Sequence, residues 1–67
     1  MKYIAKNNLK EEMEIYNTSK LAKKIGICRQ YFQNIINQKT TCSKMTAYCI
    51  TKIINNNEEI ETYFERM

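Results

Sequence analysis

Four side chains with hydrogen-bonding ends share one predicted helical face in the middle of the chain. They are Arg29, Gln30, Gln33 and Asn34, at positions i, i+1, i+4 and i+5 of a helix. A DNA major groove is about 12 Å wide, admits one α-helix and displays base edges with distinguishable hydrogen-bond patterns. Arginine can bridge guanine O6 and N7, and glutamine or asparagine can bridge adenine N6 and N7. The pattern predicts base-reading residues, although an ordinary polar helix surface has a similar composition.

The charge distribution around this helix favours a polyanionic partner. Residues 17–54 carry a net charge of +7 and contain no Asp or Glu, whereas residues 1–16 sum to zero and residues 55–67 to −3. A basic block within a small folded domain is typical of proteins that bind DNA. The alternative is a lysine-rich surface that is simply solvated.

Phosphate contacts are expected from the residues that flank the reading helix. The predicted helix starts near residues 17–20 and 41–44 offer free backbone N–H groups and the positive end of a helix dipole. Two such helix starts can hold a reading helix against the DNA backbone. The predicted phosphate-binding residues are Asn17, Thr18, Lys20, Tyr31, Lys39, Ser43 and Lys44.

The elements that would position these side chains are five helices in a single domain spanning residues 1–67. Apolar spacing predicts a first helix over residues 3–15. The second begins among the capping residues at 17–19 and ends at Gly26, the only glycine, which can adopt the left-handed conformation. The third runs over about 28–36, with Phe32, Ile35 and Ile36 buried and Asn37 at its end.

The remaining two helices are predicted to complete the core. Ser43 caps a fourth helix that runs to about residue 55 and is apolar on more than one side, as expected of a central helix. A fifth helix, from about residue 58, carries the stripe Ile60, Tyr63, Phe64 and Met67. We expect Ile60 and Phe64 in the core, whereas Tyr63 and Met67 suit either the core or a dimer contact. The predicted fold class is therefore all-α.

Several functional classes are disfavoured by the composition. The three cysteines form no CxxC pair and there is no histidine, so neither a structural zinc site nor an imidazole base for a catalytic cysteine is expected. No glycine-rich loop is present to hold a nucleotide, and no apolar run is long enough for a signal peptide or a membrane span. We therefore expect a cytoplasmic protein that is not an enzyme and has no cofactor, metal or small-molecule ligand.

The segment LAKKIGICRQYFQNIINQK resembles the helix-turn-helix of the lambda-repressor/Cro-like (XRE) family. The matching positions are Leu21, Ala22, Ile25, Gly26, Ile27, Phe32, Ile35, Asn37 and Lys39. Two positions depart from the family pattern, because Gln38 stands where the family commonly has glycine and Cys28 replaces a Ser/Thr-type cap. The resemblance implies a five-helix domain that binds operator-like double-stranded DNA, usually as a homodimer on a pseudo-palindrome.

Together these observations predict a small transcriptional regulator, expected to be a repressor of phage, plasmid or bacterial origin. By motif position, the residues that fall where family members contact bases are Arg29, Gln30, Gln33 and Asn34. Those that fall near where family members hold phosphates are Thr18, Lys39, Ser43 and Lys44. The alternative is a protein-interaction module with a helix-turn-helix scaffold, resembling an antitoxin or an anti-regulator, that does not bind specific DNA.

Overall fold

A computed structural model describes residues 2–67, and within them five helices pack with a three-stranded antiparallel sheet. The prediction of an all-α fold is therefore wrong, although the number of helices in this range is as expected. The elements in chain order are β1 (Lys2–Ala5), α1 (Asn7–Met13), α2 (Thr18–Ile25), α3 (Arg29–Ile36), β2 (Cys42–Ser43), α4 (Lys44–Ile54), α5 (Ile60–Tyr63) and β3 (Phe64–Arg66).

The first strand occupies the beginning of what the sequence predicts as a helix over residues 3–15. Tyr3 and Ala5 are buried while Lys2 is exposed, which is the period-two burial of a strand. Apolar residues near position 4 can extend a helical stripe by one turn, but they also suit a half-buried strand. The helix begins only at Asn7, after Lys6 in an extended conformation.

The last strand replaces most of the predicted fifth helix. Helix α5 ends at Tyr63, and Phe64 already has the extended dihedrals φ −131° and ψ 152°. Ile60, Tyr63 and Phe64 are buried, which confirms the core positions expected for Ile60 and Phe64. Met67 is 71% exposed and does not continue the stripe into the core. The spacing thus correctly predicted the burial of Ile60 and Phe64, but it predicted a helix that is too long.

The central strand β1 joins the two ends of the chain to its middle. The sheet order is β2-β1-β3, so β1 pairs with a strand on each side. Because β2 includes Cys42, the connection between α3 and α4 contains a buried strand position. The paired residues are Lys2 with Ser43, Tyr3 with Cys42, Tyr3 with Arg66, Ile4 with Glu65, and Ala5 with Phe64.

The helix-turn-helix formed by α2 and α3 agrees closely with its prediction. The Asn17 side chain accepts a hydrogen bond from the Lys20 N–H and begins α2. Gly26 ends α2 with φ +93°, and the following Ile27 N–H donates to the Ala22 carbonyl at 3.1 Å. The Cys28 sulfur then accepts from the Tyr31 N–H at 3.4 Å, so a weak acceptor still caps α3.

One core lies between the helices and the sheet. Phe32 and Ile35 from α3, Phe64 from β3 and Ile50 from α4 are all fully buried. Helix α4 contacts α2, α5, β1 and β2, which confirms the central position predicted for it. The buried face of α3 is thereby fixed on both the helical and the sheet side, and its opposite face is left outward.

Candidate nucleic-acid interface

An open groove runs along the outward face of α3. It brings together all four predicted base-reading side chains and adds two residues from the end of the helix. The residues that line it are Arg29, Gln30, Gln33, Asn34, Asn37 and Lys39. Asn37 was not among the predicted site residues, although it lies one turn after Gln33 and its helical spacing could have identified it.

The orientation of this groove follows from the opposite face of α3. Phe32 and Ile35 are fully buried and Ile36 is nearly so. In a helix with 3.6 residues per turn, burying these three positions places Gln30 and Asn34 on the far side, with Arg29 and Gln33 along one edge of the outward face. The side chains that could contact bases therefore do not contribute to the main core, and the core determines where they point.

Hydrogen bonding within the groove separates fixed from free side chains. The Gln30 Nε2 amide donates to Asn34 Oδ1 at 3.2 Å, one helical turn away. Within residues 2–67, the side chains of Arg29, Gln33 and Lys39 have no hydrogen-bond partner. The Asn37 side-chain amide is likewise unpartnered within these residues, so the groove contains one paired amide unit and four unpartnered donor side chains, two of them cationic.

The end of α3 is closed by a residue that the sequence pattern did not favour there. Gln38 has φ +63°, the left-handed conformation that glycine usually adopts at this point, whereas the preceding Asn37 has φ −84°. The Gln38 N–H donates to the Ile35 carbonyl and the Lys39 N–H to the Asn34 carbonyl. This bonding turns the chain back, so that Lys39 lines the same groove as Asn34.

The Gln38 side chain connects the end of α3 to the sheet. Its Nε2 donates to the Ala5 carbonyl of β1 at 2.7 Å. A glycine at this position would adopt the backbone conformation more easily but would have no such hydrogen bond. The Gln38 side chain therefore has a structural role in this protein.

The residues predicted to bind phosphate at the start of α2 are partly engaged in capping. The Asn17 carboxamide oxygen accepts from the Lys20 N–H at 3.1 Å. Lys20 is exposed and Thr18 is half-buried, and neither side chain has a hydrogen-bond partner within residues 2–67. Lys20 is thus the cation available at this helix start.

The start of α4 is arranged in a similar way. Ser43 Oγ accepts from the Thr46 N–H at 3.3 Å, and it also lies 3.1 Å from Thr46 Oγ1. Lys44 is exposed beside it. Tyr31, on the side of α3, lies with Ser43 in a second groove that also includes Lys2 of β1. Lys2 was missed by the sequence analysis because only the sheet brings it to this point.

Not every cation of the basic block faces this interface. Lys52 is half-buried, and its Nζ donates to the carbonyls of Asn56 at 3.3 Å and Glu58 at 2.9 Å. The same ammonium lies 5.6 Å from the centre of the Tyr48 ring. Lys52 therefore holds the connection between α4 and α5, and its charge is largely committed within the protein.

Residues 2–67 contain neither a metal-ligand cluster nor a membrane-spanning helix. Among residues 2–67, no group of three or more His, Cys, Asp or Glu side chains lies close enough together to hold a metal ion. The longest helix in the same part of the chain has 11 residues, and none combines the length and hydropathy needed to cross a membrane.

Comparison of the chain with models of protein families, with curated protein sequences and with solved structures found no match.

Proposed function

We propose that this protein is a sequence-specific regulator of transcription that binds double-stranded DNA through α3. The observation that carries the proposal is the single groove in which Arg29, Gln30, Gln33 and Asn34 lie together with Lys39. The resemblance of residues 21–39 to the lambda-repressor/Cro-like family supports the same function.

In the proposed complex α3 lies in the major groove. Arg29, with its guanidinium unpartnered, donates to guanine O6 and N7. The paired Gln30 and Asn34 amides and the free Gln33 present donors and acceptors toward adenine or cytosine edges. A protein that read bases in this way would discriminate sequences by about 1–3 kcal/mol for each bidentate contact.

The two helix starts that flank α3 supply the phosphate contacts of the proposal. Lys20 at the start of α2 and Lys44 at the start of α4 are exposed cations, and Lys39 lies between them in sequence. Such contacts fix the position and orientation of the protein on the duplex without reading sequence. They also make the affinity strongly dependent on salt.

The proposal extends to how the protein would act. We infer a cytoplasmic repressor of phage, plasmid or bacterial type, without catalytic activity or cofactor, that occupies its operator as a homodimer. Protein concentration and dimerisation would set its occupancy of the operator. A pseudo-palindromic operator would match the symmetry of the dimer.

The test is selection from randomised duplexes followed by titration of the recovered sequence at several salt concentrations. A protein that contacts about six phosphates loses roughly a thousandfold in affinity between about 50 and 200 mM salt. Binding that does not change over this range, or no retention of duplex at low salt, would contradict the proposal.

Two variants separate base contacts from phosphate contacts. Arg29→Ala is expected to lower specific affinity by about 1–3 kcal/mol while non-specific binding is largely retained. Lys44→Ala is expected to weaken binding to all duplexes alike and to reduce the salt dependence. Equal behaviour of the two variants on specific and random duplexes would show that the assignment of their roles is wrong.

A protein-interaction module is the second candidate function. Met45 and Tyr48 on α4 favour it, because they are 71% and 49% exposed and line an apolar depression with Lys44. Binding of a protein partner through this surface would respond little to salt. Replacing Met45 with Gln would then abolish function while DNA-face variants such as Arg29→Ala would leave it intact.

A further inference from the structure

The second groove beside α3 is built from three parts of the chain. Lys2 comes from β1, Tyr31 from α3, and the other lining residues from the connection between α3 and α4. The lining residues are Lys2, Tyr31, Thr40, Thr41, Cys42 and Ser43. Within residues 2–67, neither Asp nor Glu is among them.

The pairing of β1 with β2 brings Lys2 to this groove. Lys2 is the direct partner of Ser43 in the antiparallel ladder. Paired residues in such a ladder have Cα atoms about 4.5–5.5 Å apart. A lysine that lies 41 positions away in sequence is thereby fixed next to the first turn of α4.

The groups that line the groove include several unpartnered donors. Within residues 2–67, the side chains of Lys2, Tyr31 and Thr41 have no hydrogen-bond partner. Thr40 Oγ1 is engaged with the Thr41 carbonyl at 3.3 Å. An ammonium and two hydroxyl groups are therefore free to donate to one ligand, and tetrahedral phosphate oxygens accept such donors.

Cys42, which also lines the groove, contributes no negative charge that would repel an anion. Cys42 is buried in β2, and burial raises the pKa of its thiol to about 11. The thiol is therefore uncharged at neutral pH. The groove contains one formal positive charge and no negative charge among the described residues that line it.

We propose that this groove is a phosphate site in which Lys2, Tyr31 and Thr41 hold one phosphate of a DNA backbone. The inference rests on the proposed function and adds to it a binding residue from the sheet. Tyr31 lies three positions before Asn34 on α3, and residues at this spacing are neighbours on a helix surface, so the site adjoins the base-reading groove. A phosphodiester beside a docked major groove is thus the ligand that the position favours.

A free anion would be a poorer ligand for the same groups. The groove is open, and Lys2 is a single exposed ammonium, so water competes strongly for it. A phosphate of a duplex held by α3 is presented at high effective concentration, because the other contacts have already oriented it. The site therefore contributes as one part of a larger interface.

The experiment measures duplex affinity as a function of salt for Lys2→Gln and for the matched control Lys10→Gln. Both variants lose one positive charge, but Lys10 lies on α1 outside both grooves. For Lys2→Gln we expect affinity to fall roughly fivefold to tenfold near 100 mM salt. The slope of log affinity against log salt should decrease by about one, equally for selected and random duplexes. For Lys10→Gln we expect less than about a twofold change.

Two additional measurements locate the contact on the DNA. Duplexes carrying a neutral methylphosphonate at one position should weaken wild-type binding at one phosphate per half-site, and at that phosphate Lys2→Gln should cause no further loss. Tyr31→Phe, which removes only the hydroxyl, should weaken binding about twofold to threefold at the same phosphate, and Lys2→Arg should retain affinity. Circular dichroism of each variant establishes that the fold is intact.

The outcomes distinguish this inference from the proposed function. Normal, salt-dependent binding by the wild type with equal slopes for Lys2→Gln and Lys10→Gln would overturn the phosphate site alone. A wild-type protein that retains no duplex at low salt would overturn both. Loss of binding by Lys2→Gln at every phosphate, without a methylphosphonate position that masks it, would also exclude a local site.

Discussion

The hydrogen bonds around α3 differ in sequence separation from those on the sheet side of the core. Around α3 the bonds join residues three to five positions apart, as in the Cys28 cap and the Lys39–Asn34 closure. On the sheet side they span most of the chain. Lys6 Nζ donates to the Glu61 carbonyl at 2.6 Å, across 55 positions.

This difference means that local sequence forms the candidate site, whereas residues far away in the chain hold it in place. A short segment contains the caps and the outward side chains of α3, but the sheet fixes α3 against the rest of the molecule. The Gln38 hydrogen bond to Ala5 is a direct link between the two regions, joining residues 33 positions apart. Substitutions on each side of this link test whether the regions form one cooperative unit.

The largest effect is expected for Phe64→Ala in β3, with Phe32→Ala in α3 as its counterpart. Both side chains are fully buried, so each truncation is expected to cost about 3–5 kcal/mol. A domain of this size has little stability to spare, so both variants should unfold as a whole in urea followed by circular dichroism. Two separate transitions, or helical signal that survives in Phe64→Ala, would mean that the regions fold independently.

The link between the regions is tested by Gln38→Ala and Gln38→Gly. Both lose the hydrogen bond to Ala5, worth about 1 kcal/mol, but only glycine relieves the left-handed backbone, by about 1 kcal/mol. Urea titration should therefore show a loss of about 1 kcal/mol for alanine and almost none for glycine. Equal stabilities of the two variants would contradict the stated balance of strain and hydrogen bonding.

A smaller effect, of opposite sign, is expected at Thr51 in α4, between the two regions. Its hydroxyl is fully buried and has no hydrogen-bond partner within residues 2–67. Thr51→Val should raise the free energy of unfolding by about 0.5–1 kcal/mol, because it removes an unsatisfied polar group at constant shape. Thr51→Ser, which keeps the hydroxyl and loses a methyl group, should lower it by about 1 kcal/mol.

Hydrogen exchange in the Thr51→Val variant tests whether α3 and the sheet open together. If α3 and the sheet open together, Thr51→Val should slow exchange of their slowest amides by the same factor. Slower exchange in only one region would show that the two open separately.

The smallest effect at neutral pH comes from the titration of buried groups on the sheet side. Burial raises the pKa of Cys42 from 9.0 to about 11, and burial followed by the charges of Glu12 and Glu58 raises the pKa of Tyr63. The folded state keeps these protons when the unfolded state has begun to lose them. Stability should therefore be unaffected below about pH 8 and should decrease from about pH 9 to 11.

Thermal unfolding between pH 7 and 11 measures this decrease. The decline should be shallower in Cys42→Ala, compared with its own stability at pH 7, and unchanged in the control Cys28→Ser, since Cys28 is exposed. An identical decline in Cys42→Ala and the wild type would exclude the thiol as a source.

The parts of the fold that could be predicted from sequence are those fixed by nearby residues. Asn17, Gly26 and Ser43 begin or end helices through bonds within a few positions, so the α2, α3 and α4 boundaries were found. Strands depend on partners far away in the chain. The apolar spacing around Tyr3 and around Phe64 is compatible with either a helix or a strand. Only the pairing of Ala5 with Phe64 shows that both segments are strands.

The candidate site also has one part that local sequence could predict and another that it could not. Arg29 and the three amides share one helix, and their spacing alone predicted the groove that they line. Lys2 comes from a strand that the sequence analysis read as helix, so no local pattern could place it beside Ser43. The cap at Ser43 was predicted, whereas only the structure shows which of residues 17–19 caps α2, namely Asn17.

If the protein binds DNA as proposed, the hydrogen bond between the Gln30 and Asn34 side-chain amides has a consequence for how operator preference could diverge among its descendants. A substitution at either position leaves the other amide without its partner, so a new preference at one requires adjustment at the other. Arg29 and Gln33 carry no such bond and can change singly. We expect positions 30 and 34 to covary, and positions 29 and 33 to vary independently, in lineages that recognise different operators.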